Sequence, residues 1–208
     1  MLPRPDFKRR STWVALFRQV ARISDTGAMQ AGSELEAPPI RPFGADDASI
    51  EAWSIAMKGD DPSAVLELSA MLGPADDGEP APLLAPREDL AIEVWTECEL
   101  SVVHAAWRMV LEAGDARAVE SLTRRVRSAI AWHLERTQPD NATTHPWAVH
   151  AVLELGSPWT EAADYAASMI HAVEAAGHAS GIRDPLSSWI LLDAAAGLEH
   201  REGEDFGV

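Results

Sequence analysis

The chain has 208 residues, 47% of them apolar and 24% charged, a globular mix that excludes collagen-like, wholly disordered and disulfide-scaffold proteins. Seventeen Lys and Arg stand against 33 Asp and Glu, and the formal charge of −16 would repel a phosphate backbone, which argues against general nucleic-acid binding. Cys98 is the sole cysteine, so neither an intramolecular disulfide nor a multi-cysteine metal site can form, and a reducing cytoplasm is the expected location. No run approaches the roughly 18 to 20 apolar residues of a membrane-spanning helix.

The first 22 residues reverse the charge: Arg4, Lys8, Arg9, Arg10, Arg18 and Arg22 oppose Asp6 alone, giving +5 and leaving −21 on the remainder. Trp13, Leu16, Phe17 and Val20 line one face of a helix, with Arg9, Arg10, Arg18 and Arg22 around it. Residues 1–23 therefore read as a separate basic amphipathic helix. It could dock on a protein partner, a neighbouring subunit or a membrane surface, or fold back onto the chain's own acidic body.

Residues 24–45 carry Gly27, Pro38, Pro39, Pro42 and Gly44 without a sustained apolar period, which predicts a flexible linker. A short helical hairpin follows at 46–73. Its helices span about 47–58, before Gly59, and 62–72, where Pro62 suits the first turn and Gly73 the stop. A second Pro- and Gly-rich linker is predicted at 74–86.

From residue 87 the pattern becomes one of longer helices. The first is expected over 87–113, with Trp95, Cys98, Val102, Ala105 and Met109 recurring at spacings of three and four. Between Val102 and Leu111 only His104 and Arg108 are polar, so this half reads as a central helix surrounded by others. Four apart, His104 and Arg108 share a face, which reads as a polar pocket or buried hydrogen-bond site, since a guanidinium beside the ring would repel a metal ion.

Four further helices are expected at 116–136, 146–155, 158–176 and 185–200, closed by Pro139, Gly156, Gly177 and an acidic tail at 202–208. No segment alternates apolar and polar residues as strands do. The fold class is all-α: antiparallel helical hairpins stacked as an open bundle or arc, with residues 87–201 as the core domain.

Tryptophan is abundant, and Trp53 to Trp95 and Trp147 to Trp189 are both separated by 42 residues, with 52 between Trp95 and Trp147. Each of Trp147-Ala148-Val149-His150 and Trp189-Ile190-Leu191-Leu192 opens a helix after a Pro-containing turn. In this pattern residues 87–200 resemble the helical-hairpin repeats of α/α toroids of the terpenoid-cyclase and prenyltransferase group. The likeness implies an arc too short to close a ring, and no catalytic motif of that group matches here.

The densest polar and aromatic cluster lies at 132–150. Trp132, His133, Asp140, Asn141, His145 and Trp147 could converge on one rim and bind a ligand, or in an enzyme His133, Asp140 and His145 could act as acid, base or ligand. The simpler reading makes Asp140 and Asn141 caps and the tryptophans packing groups. His145 and His150, about 140° apart around a helix, do not share a metal-binding face. Cys98 reads as buried, the acid pairs as caps, and no phosphate loop or nucleophile elbow occurs. The sequence thus predicts a helical interaction or ligand-binding protein, with no cofactor or metal indicated and the partner unidentified.

Overall fold

The computed structural model describes residues 8–24, 47–58, 62–72, 78–113, 116–138, 143–180, 184–200 and 206. Among them are eight helices: α1 (Arg10–Ser24), α2 (Asp47–Ala56), α3 (Pro62–Leu72), α4 (Ile92–Glu112), α5 (Ala116–Arg136), α6 (Val149–Leu155), α7 (Trp159–Ser180) and α8 (Pro185–His200). No strand occurs among the described residues, so the chain is an all-α helical bundle. No helix among them is long and apolar enough to cross a membrane. The first predicted linker falls almost wholly outside the described residues, as do Asp140, Asn141 and the tail up to Asp205.

α4 is the axis, as its pattern predicts. Every residue from Trp95 to Trp107 is buried, including Glu97, Glu99 and His104. Such a helix must supply partners for its own polar groups, because a buried polar side chain without one costs free energy. It begins at Ile92 rather than 87. Residues 78–91 instead form an irregular strap whose amides are held from the side: Leu83 N–H and Leu84 N–H donate to the two carboxylate oxygens of Glu99 at 2.6 and 2.7 Å. Ala81 N–H reaches Ser128 Oγ at 3.0 Å, and Trp95 Nε1–H reaches Ala85 O at 3.1 Å. The described part of the second predicted linker is thus pinned across α4 and α5.

The hairpin α2–α3 joins the same core. Trp53 of α2 lies 5.6 Å from both Trp147 and Trp189 and 5.7 Å from His104, ring centre to ring centre. Trp95 packs elsewhere, edge-on to Trp132 at 5.5 Å, so the 42-residue Trp spacing does not recur as equivalent packing.

α1, read from the sequence as a separate segment, packs against α8 and α7. Trp13, Phe17 and Val20 are fully buried, while Leu16 is partly buried against the core. The basic residues complete the docking: Arg10 pairs with Glu154 of α6, and Arg18 Nη2 donates to Glu199 of α8 at 2.8 Å. Asp184 N–H donates to Ser24 O, and Phe206 N–H to Lys8 O, both at 2.9 Å, so the C-terminal part of the chain closes on both ends of α1. Of the two sequence readings, docking on the chain's own acidic body is the one observed, and the apolar face expected to meet a partner or membrane is covered.

Two boundaries differ for local reasons. α7 runs through Gly177 to Ser180, because this glycine serves a close approach: a β-carbon there would lie 3.2 Å from Ile23 Cγ2 of α1. α6 begins at Val149 rather than 146, because Ala148 adopts a left-handed conformation, φ 57°, that few non-glycine residues take.

Candidate functional site

The polar side chains that α4 carries into the interior separate into a carboxylate staple and a histidine cluster that opens to solvent. The staple is Glu97. Its Oε1 accepts from His145 Nδ1 at 2.5 Å and from Trp147 Nε1 at 2.7 Å. Its Oε2 accepts the Thr144 amide and the Thr143 hydroxyl, each at 2.7 Å. Burial alone would push the Glu97 carboxyl up, but these donors and the charge of His145 outweigh it and hold it below its ordinary value. Burial likewise works against protonated His145, yet the Glu97 hydrogen bond and charge, helped by Asp184, raise its pKa.

Glu97 is thus committed to His145, Thr144 and Trp147, so the turn at 143–147 is a tether. His133 lies in a different place. Its Nε2 is 3.9 Å from Glu99 Oε1, its Nδ1 is 3.3 Å from Thr137 Oγ1, and its ring sits edge-on to Trp132 at 5.1 Å. The predicted rim is therefore two structures, with His133 facing Glu99 and Trp132 packed on His133 and Trp95, and with His145 and Trp147 at Glu97. Asp140 and Asn141 lie outside the described residues.

The histidine cluster starts at His104, which is fully buried. Its Nδ1 accepts the Ala148 N–H at 3.0 Å, which leaves the ring proton on Nε2, 3.0 Å from Asp193 Oδ2. The donor, Ala148, is the residue in the left-handed conformation. The other oxygen of Asp193 accepts from Arg108 Nη1, and Arg108 Nε lies 3.1 Å from Glu112 Oε1. Burial would raise the Asp193 carboxyl, but the His104 hydrogen bond and the Arg108 charge prevail and lower it, so it is ionised at neutral pH. His150, 4.5 Å from His104 between ring centres, is pushed well below the ordinary histidine range by burial beside His104 and the Arg108 guanidinium.

A cleft of about 430 Å³ opens on this cluster between α4, α6 and α8. Arg108, Leu111 and Glu112 form one wall and Asp193 and Gly197 the other, with His150 at the bottom; Ala196 and His200 stand at the α8 side. Gly197 makes room: a β-carbon there would come within 3.0 Å of Leu111 Cδ1 and 3.1 Å of His150 Cδ2.

The sequence singled out the His104–Arg108 face but not its partners. Asp193 carried a usable signal, since it is the one charged residue in the run from Pro185 to Gly197. A lone acid in an apolar helix needs a buried partner. Among the described residues no group of three or more His, Cys, Asp and Glu side chains could hold a metal ion. Comparison of the chain with family models, with curated proteins and with solved structures gives no match, so the likeness to α/α toroids rests on the sequence pattern alone.

Proposed function

We propose that the protein is a helical ligand-binding protein whose site is the cleft between α4, α6 and α8, not the 132–147 turn. The observation that carries this reading is the convergence of Arg108, Asp193 and His150 from three helices on one open cavity. A cavity of about 430 Å³, lined by Arg108, Glu112, His150, Asp193 and His200 together with Leu111, Ala196 and Gly197, is of the size that holds small molecules. The left-handed Ala148 supports it, because backbone strain of this kind concentrates where a side chain must be held in place, here His104 behind Asp193.

An enzyme acting through His133, Asp140 and His145 has less support, since His145 is occupied by Glu97 and His133 faces a different carboxylate. A membrane-surface role for α1 would need an apolar face that is buried against α7 and α8.

Ligand-observed NMR with a library of small polar fragments tests the reading on the full-length chain. Ala196 is exposed beside the cleft, so Ala196→Phe should fill it without disturbing the core. Fragments that bind the unmodified protein and not this variant are the expected result; an identical hit set for both would overturn the reading.

A further inference from the structure

Resting on that reading, we propose that the cleft takes a small uncharged carboxamide, its oxygen on His150 Nε2 and its N–H on Asp193. The ionised groups of the cleft are already held by others. Asp193 gives one oxygen to Arg108 and the other to His104, while Glu112 lies 3.1 Å from Arg108 Nε and has a further partner. His200 completes the polar lining at the α8 side. A charged ligand would have to displace one of these partners, and a partly buried charge that loses its partner is costly. An uncharged ligand leaves the network intact.

The open position is His150. This side chain is 1% exposed, its buried Nδ1 has no hydrogen-bond partner among the described residues, and burial beside His104 and the Arg108 guanidinium keeps the ring uncharged. The opposite edge of the ring faces Gly197 in the cleft wall, where a β-carbon would lie 3.7 Å from Nε2. A neutral imidazole carries one N–H. On Nδ1 that proton would be a buried donor with nothing to receive it, whereas on Nε2 it is directed to the side where a ligand can accept it. Asp193 stands one turn before Gly197 on the same face of α8, so its carboxylate and the His150 edge border one stretch of the cleft. Each Asp193 oxygen keeps a second lone pair for an N–H donor. An amide sets its oxygen and its N–H on two atoms about 2.2 Å apart, and with a hydrogen bond of about 2.9 Å on either side it bridges groups about 5 to 6 Å apart, the spacing of neighbours one helical turn removed. An alcohol must serve both from a single oxygen.

The test is NMR titration of the full-length protein, labelled at the histidine rings, with four probes of matched size: propionamide, propionate, propylamine and 1-propanol. Propionamide should shift the His150 ring signals and bind at least tenfold more tightly than the other three, and Ala196→Phe should abolish its binding. Propionate, propylamine or 1-propanol matching propionamide, with all binding lost in Ala196→Phe, would overturn the carboxamide assignment while leaving the cleft as the site. Propionamide binding undiminished by Ala196→Phe would overturn both, and silence from all four probes would overturn the carboxamide assignment, with the fragment screen deciding the cleft independently.

Discussion

Gly197 of α8 sits against His150 of α6 so closely that a β-carbon at Gly197 would come within 3.1 Å of the imidazole Cδ2 and 3.7 Å of Nε2. Glycine inside a helix lowers its stability by about 1 kcal/mol relative to alanine. At this position the missing side chain leaves the ring its place at the bottom of the cleft. Gly197→Ala therefore sets a gain in helix propensity against a forced shift of His150 or Leu111. The expected outcome is a displaced His150 ring signal and loss of fragment binding, with a melting temperature within a few degrees of the parent; an unmoved ring would contradict the packing.

Glu99 is expected to be a strong determinant of stability, although it faces no solvent. Its carboxylate receives the amides of Leu83 and Leu84. Glu99→Gln keeps the shape but replaces one acceptor oxygen with an NH₂ that meets another donor. A loss of about 2 to 3 kcal/mol is expected from urea denaturation, with faster amide exchange at Leu83 and Leu84. Unchanged exchange at both residues would count against the strap.

The His145–Glu97 pair gives stability a definite pH window. The folded pKa of His145 is raised above 6.5, so its contribution is complete below 6.5 and is lost as pH rises through the raised value. Glu97 is lowered below 4.5, so its contribution is complete above 4.5 and is lost as pH falls through the lowered value. The destabilisation caused by His145→Gln should thus be largest between pH 4.5 and 6.5 and shrink at higher pH. Thermal melts of both proteins across pH 4 to 9 measure it, and a constant difference would show that the ring acts uncharged.

Trp13 discriminates a docked α1 from a free one. The side chain is fully buried, 6.0 Å from Phe17 between ring centres. Trp13→Ala should cost about 3 to 5 kcal/mol, the usual loss for truncating a buried large aromatic residue. A helix held away from the body would show no change in the denaturant midpoint.

Periodicity and punctuation were enough to locate most helices, since an apolar stripe, a proline at the first turn and a glycine beyond the last are local features. They predicted α2, α3, α5 and α8 closely, and they marked α4 as central because its second half has only His104 and Arg108 as polar residues. The same local logic misread residues 87–91 as helix, where the chain instead makes a turn in which Arg87 Nε donates to Asp89 at 3.0 Å and Leu90 N–H reaches Arg87 O at 3.4 Å. It also read Gly177 as a stop, where the glycine instead admits Ile23 from a helix more than 150 residues earlier.

The 132–150 cluster shows the limit most clearly. Nearness in sequence grouped His133 with His145, but α4 offers two carboxylates two residues apart, and the histidines go to different ones. The cleft joins Arg108, His150 and Asp193, which sequence spacing cannot associate. Composition and apolar period by themselves determined an acidic, all-helical chain with a buried polar face on its central helix. Which groups answer that face was decided only by tertiary structure, because a buried charge takes its partner from whichever helix packing brings within hydrogen-bond reach.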